Sequence, residues 1–225
     1  LAQSELPFPA AEYQVRLEKV RKGMAEHGLD ALLLTDPADI NYLTGYHTFE
    51  VSVHACLVCT QARLVLQVAS IETGAAVVTA RVDEIIGYRW ENLDEIITPL
   101  ADLLSPCSKI GIDGWSSGMR FGVIDALMQT IGRERFSEAG AVVDAIRIIK
   151  SPAELEMLQH SARITALGLE TAMQSIRPGM TDNDIAAVGA KALLENGSEF
   201  MSLQPIVTSG HRIGVIHVNH KRRVI

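Results

Sequence analysis

The apolar pattern changes character across Ile146-Arg-Ile-Ile-Lys-Ser-Pro-Ala-Glu-Leu155, and this seam constrains the fold more than any other stretch. Before it, short apolar runs alternate with amphipathic segments. After it, long helical periodicity takes over. Ser151-Pro152-Ala153-Glu154 is a dense helix start. Ser151 can cap a free N–H, Pro152 suits the first helical position, and Glu154 can bond back to the cap. Two domains are expected, over residues 1–148 and 149–225, and a chain of 225 residues has room for both.

Ahead of the seam, Tyr13, Leu17, Val20 and Met24 recur at helical spacing and predict a helix over 11–28. Arg16, Lys19, Arg21 and Lys22 take its wet side, and Gly28 ends it. A buried strand over 31–35 and a short helix over 37–42 follow. Strands are expected over 52–60 and 63–68, joined at Gln61-Ala62, then a helix over 70–79 and a strand over 83–88. An amphipathic helix over 92–104 turns Ile96, Ile97, Leu100 and Leu104 inward, ahead of a strand over 109–113 and a helix over 120–131. This rhythm predicts an α/β domain with a mixed sheet covered by helices.

Beyond the seam, Leu155, Leu158, Ala162, Ala166, Leu169, Met173 and Ile176 define a helix of about six turns. Arg177-Pro178-Gly179 stops it. Thr181 and Asp184 cap a second helix running to Gly197, and strands are expected over 200–208 and 214–218. The long helix carries a stripe that needs a sheet to cover it. About 75 residues is below the common domain size, so 149–225 is expected to begin a longer, incomplete α+β domain.

Apolar residues make up 48% of the chain, enough for a sizeable core. A net charge of −7 argues against nucleic acid as a partner. No apolar run approaches the roughly 18–20 residues of a membrane helix. Residues 1–7 show neither a basic nor an apolar leader region, so no signal peptide is expected. Three cysteines make no disulfide framework, which fits a reducing, cytoplasmic setting. Cys56-x-x-Cys59 lies in a predicted strand, where residues three apart face opposite ways, so the pair reads as buried thiols rather than a metal site. Cys107 reads as a loop thiol.

No Gly-rich phosphate loop, nucleophile elbow or His-Glu-x-x-His helix is present. His211 has no carboxylate in its local pattern to complete a triad. His217, flanked by Val215, Ile216 and Val218, has two readings: a core histidine, or a neutral imidazole acting as acid or hydrogen-bond donor. His220 is three residues on, a spacing that diverges on a strand. His220-Lys-Arg-Arg223 reads as a solvated basic end.

Three stretches resemble the creatinase, prolidase and Xaa-Pro aminopeptidase family of pita-bread hydrolases. They are Asp36-Pro-Ala-Asp-Ile-Asn-Tyr-Leu-Thr-Gly-Tyr46, Arg147-Ile-Ile-Lys-Ser-Pro-Ala-Glu-Leu155 and Pro205-Ile-Val-Thr-Ser-Gly-His-Arg-Ile-Gly-Val-Ile-His217. The resemblance implies a creatinase-like N-terminal domain followed by the start of a pita-bread catalytic domain. It implies that His217 is catalytic, donating a hydrogen bond or shuttling a proton during C–N cleavage. It implies a homodimer in which residues after the Thr-Gly-Tyr element, His47, Thr48 or Phe49, reach the partner's site; His220 is a further substrate-binding candidate. Metallopeptidase relatives hold two divalent ions, Mn, Co or Zn, through ligands beyond residue 225, and creatinase-like relatives hold none. No metal ligand is therefore assigned here, and the 225-residue chain alone is expected to be inactive. An Xaa-Pro peptide is the first substrate class implied. A small guanidino or amide compound, as in creatinase and ectoine hydrolases, is the second, and a non-catalytic binding module the third.

Overall fold

Four consecutive large or small apolar residues cannot leave either face of a strand in water, and Ala31–Leu34, β1, is buried along its whole length. The computed structural model describes residues 6–89 and 92–225. The leader region read over 1–7 therefore lies largely outside the described residues. The molecule divides into two compact units, one up to Ile149 and one over Lys150–Ile225.

In the first unit β1 is a central strand of a six-stranded mixed sheet. With β2 (Cys56–Thr60), β3 (Leu64–Ala69), β4 (Glu84–Tyr88), β5 (Ile110–Ile112) and β6 (Phe136–Glu138), the order is β4-β3-β2-β1-β5-β6. The β1/β2 and β2/β3 pairs are antiparallel, and the β3/β4, β1/β5 and β5/β6 pairs are parallel. Alternation along β2 feeds both faces. Cys56 and Val58 join one core with helices α4 (Asp94–Leu104) and α5 (Phe121–Ile131). Leu57 and Cys59 join the other, with α1 (Ala10–Glu26), α2 (Pro37–Thr44), α3 (Thr73–Thr79) and α6 (Ala141–Arg147). Burial pushes both thiols up, Cys59 to about 11, so neither is a nucleophile at neutral pH. Cys107 lies in a loop and is buried.

Three expectations change. The strand read over 52–60 begins only at Cys56, because residues 51–53 form a turn. Strand β6 and helix α6 were not foreseen; each is short, and α6 overlaps the apolar run at the seam. Arg16 does not sit in water. It is buried, its guanidinium stacked on Phe8 and Tyr42 at 4.2 and 4.4 Å.

The second unit opens with α7 (Pro152–Ser175) and α8 (Asp182–Glu195). Both start with reciprocal capping boxes, Ser151 with Glu154 and Thr181 with Asp184. The helices touch through small residues. A Cβ on Gly168 would lie 2.6 Å from Leu193 Cδ2, so a side chain there would make Leu193 shift. Leu155, Leu158, Leu169 and Met173 on α7, and Ile176 just after it, are exposed.

The strands expected over 200–208 and 214–218 do not form. Residues 203–209 carry no regular structure, 210–212 form a single 3-10 turn, and an isolated bridge joins Thr181 to Val224. An extended segment becomes a strand only when a neighbour accepts and donates along its ladder. Here the backbone around 209–215 closes on itself in local turns, Arg212 N donating to Ser209 O, Ile213 N to Gly210 O and Val215 N to Arg212 O. Residues 221–223 bond to the side chains of Asp182 and Asn183 at the start of α8.

Candidate active site

Asp182 is the first helical residue of α8, and its side chain has 0% exposure. A carboxylate so enclosed must find donors for its lone pairs. Oδ1 accepts from the backbone N–H groups of Lys221 at 3.1 Å and Arg223 at 3.0 Å. Oδ2 accepts from Lys221 N at 3.2 Å and pairs with Arg212 Nη2 at 2.9 Å. Burial pushes the carboxyl up, but those N–H groups and the Arg212 charge outweigh it, and it titrates below its ordinary value. Its own N–H donates to Arg223 O at 2.9 Å. Alongside, Asn183 Oδ1 accepts from Arg222 N at 2.7 Å, and Ile225 N donates to Met180 O at 2.8 Å.

The result is a loop, residues 211–223, folded back onto the start of α8. Arg212 also donates through Nη1 to Asn219 O at 3.3 Å. Arg223 Nη1 lies 3.3 Å from His211 Nδ1. His217 lies within this loop in a left-handed conformation, φ 61°, and is exposed, as are Val215 and Ile216. The expected apolar surroundings of His217 are therefore not found. Val215 and Ile216 point to solvent and Val218 is half-buried, whereas on a strand they would flank it. His220 is half-buried, and its Nδ1 is buried without a hydrogen-bond partner among the described residues. The segment read as a solvated basic end thus anchors the loop through its backbone, while the Lys221 and Arg222 side chains remain in water.

In the first unit, α2 ends at Gly45, whose φ of 79° suits glycine, and its N–H donates to Asn41 O at 2.8 Å. Tyr46 is buried, its N–H donating to Thr44 Oγ1 at 2.9 Å and its hydroxyl to Glu72 Oε2 at 3.2 Å. The chain then emerges at His47 and Phe49, both exposed, Phe49 at 91%. His217 and His220 thus share one loop of the second unit, and His47 and Phe49 share one loop of the first. Among the described residues no group of three or more His, Cys, Asp or Glu side chains is placed to hold a metal ion.

Asp182 was not read from sequence as a site residue. Thr181-Asp-Asn-Asp184 signals only a helix start, and nothing local links it to residues 30 to 41 positions away.

Residues 16–149 match the Creatinase/Prolidase N-terminal domain, and residues 156–225 match Metallopeptidase family M24. Ectoine hydrolase from Halomonas elongata is 25% identical over 240 residues, covering 97% of this chain and 60% of that protein. An Xaa-Pro dipeptidase from Pyrococcus furiosus is 23% identical over 202 residues, covering 90% of this chain and 54% of that protein. The crystal structure of the prolidase from Pyrococcus horikoshii OT3 superposes with a TM-score of 0.77 at 21% identity, over 94% of this chain and 57% of that one. That likeness establishes the fold, a mixed sheet covered by helices followed by pita-bread elements. The chain spans between half and two thirds of the length of these relatives.

Proposed function

This chain belongs to the creatinase/prolidase family, and from that premise we propose that it is part of a C–N hydrolase with His217 at the reacting group and an Xaa-Pro peptide as its substrate class. The observation that carries the reading is the placement of His217, solvent-accessible on a loop anchored to a buried carboxylate. An imidazole so held can donate a hydrogen bond to a scissile carbonyl or to the oxyanion that replaces it, or pass a proton to the leaving nitrogen. The described residues do not fit the divalent metal that the M24 description implies, so His217 is the one catalytic group assigned in this chain. His220 lies on the same loop and is proposed to contact substrate. His47 and Phe49, exposed and displayed by a pinned helix end, are proposed to reach the partner's site in a cytoplasmic homodimer.

A second reading has specific support. The ectoine hydrolase likeness covers 97% of this chain, against 90% for the Xaa-Pro dipeptidase, and supports a small C–N compound as substrate. The test is turnover of Ala-Pro, ectoine and creatine by the full-length protein, with and without added Mn, Co or Zn ions. Hydrolysis of Ala-Pro is expected. Hydrolysis of ectoine or creatine alone moves the substrate class to the second reading. A folded, metal-supplied protein that turns over none of them overturns the hydrolase reading and leaves a binding module.

A further inference from the structure

We infer that Asp182 is a positioning residue for His217, acting with Arg212 as a clasp that closes the histidine loop; the inference rests on the reading of His217 given above. The loop's two limbs converge on one carboxylate. Arg212, five residues before His217, reaches it by its side chain, and Lys221, four residues after, reaches it by its backbone N–H. The second nitrogen of Arg212 crosses the loop to the carbonyl of Asn219, two residues past His217. His217 is thus bracketed on both sides by bonds that share one arginine and one aspartate.

Two further observations separate this role from ordinary helix capping. The cap of α8 is already made by Thr181 and Asp184, and the Asp182 carboxylate turns instead to Lys221, Arg223 and Arg212. His217 also holds a left-handed backbone, which a non-glycine residue keeps only where its surroundings over-determine it. The chemistry requires an anion. A carboxylate accepts from the Lys221 and Arg223 N–H groups while pairing with a guanidinium. An amide of the same shape either turns its NH2 toward Arg212 or turns it toward those N–H groups, so it cannot satisfy both.

The experiment uses the full-length protein and whichever of Ala-Pro or ectoine it turns over. Asp182→Asn is expected to lower kcat by about 10- to 100-fold with KM within about threefold, since a misplaced catalytic group costs up to about 100-fold. Combined with His217→Ala it should add nothing beyond His217→Ala alone, the mark of two residues serving one function. Amide hydrogen exchange is expected to rise at residues 217–223 while α7 stays protected. Arg212→Lys keeps the charge pair but cannot also span to Asn219, and an intermediate kcat is expected; it carries the test if Asp182→Asn does not fold. A kcat for Asp182→Asn within twofold of wild type, or losses that multiply in the double variant, would overturn the proposal. A silent His217→Ala would instead remove the reading beneath it, and exchange at 217–223 would still show whether Asp182 holds the loop.

Discussion

Replacing Arg16 with alanine is expected to destabilise the first unit by about 3 kcal/mol, the lower end of the cost of breaking a buried ion pair. Arg16 is 3% exposed. Its guanidinium stacks on Phe8 at 4.2 Å and Tyr42 at 4.4 Å, with Tyr13 at 5.3 Å. It donates to Tyr42 O at 3.0 Å and pairs with Glu12 at 3.3 Å, one helical turn away. These contacts tie the segment ahead of α1, α1 itself and α2 together. The lower end applies because Glu12 keeps some access to water once its partner is gone. Lysine should recover less than half of the loss, since an ammonium neither stacks as a plane nor forks between Tyr42 O and Glu12. Urea unfolding checks both variants, with the midpoint and the slope read separately. A loss below about 1 kcal/mol for Arg16→Ala would place the residue among ordinary surface pairs.

The second large effect is acid destabilisation through His54. Its side chain is buried, and neither ring nitrogen has a hydrogen-bond partner among the described residues. Burial first, and the Arg120 charge second, hold its pKa down to about 4 from the ordinary 6.5. Between those values the unfolded chain binds a proton that the folded one refuses. Stability from neutral His54 is therefore complete above pH 6.5 and declines as pH falls toward 4, by about 3 kcal/mol in all. Asp39 slopes the other way. Burial raises it to about 6 against the pull of Arg147, so its contribution is lost as pH rises through that value. The wild-type curve mixes these slopes with those of other shifted carboxylates such as Asp182, and the comparison with His54→Phe isolates the histidine's. At pH 7.5 the phenylalanine variant should be at least as stable as wild type, because two unpartnered buried nitrogens are gone. At pH 4 it should be more stable by about 3 kcal/mol beyond any difference at pH 7.5. A stability difference between the two proteins that does not change with pH would contradict the assignment.

Much of the first unit was legible because its elements follow simple periods. The 3.6-residue repeat in α4 put Ile96, Ile97, Leu100 and Leu104 inside, and all four are buried. The buried run of β1 and the opposed faces of Cys56 and Cys59 were equally readable. Arg16 was not, because a helical wheel assigns a cation to water, and the ring of Tyr42 that shelters it comes from 26 residues away. Strand β6, Phe-Ser-Glu at the sheet edge, is nowhere fully buried and has one apolar residue, so no apolar run marks it as Ile110-Gly-Ile112 marks β5. The stretches over 200–208 and 214–218 have strand-like composition but no ladder partner among the described residues. At the candidate site, local pattern left His217 between two readings, and family resemblance chose between them. Asp182 and its clasp depend on contacts across 30 to 41 residues, which no local window contains.

The most direct measurement of the central claim is kcat for His217→Ala against wild type in the full-length protein, on whichever of Ala-Pro, ectoine or creatine the wild type is found to turn over. A fall of about 100-fold or more is expected, the usual worth of a positioned acid–base or oxyanion-stabilising group. Turnover within a factor of a few of wild type would contradict the assignment of His217 to the reacting group.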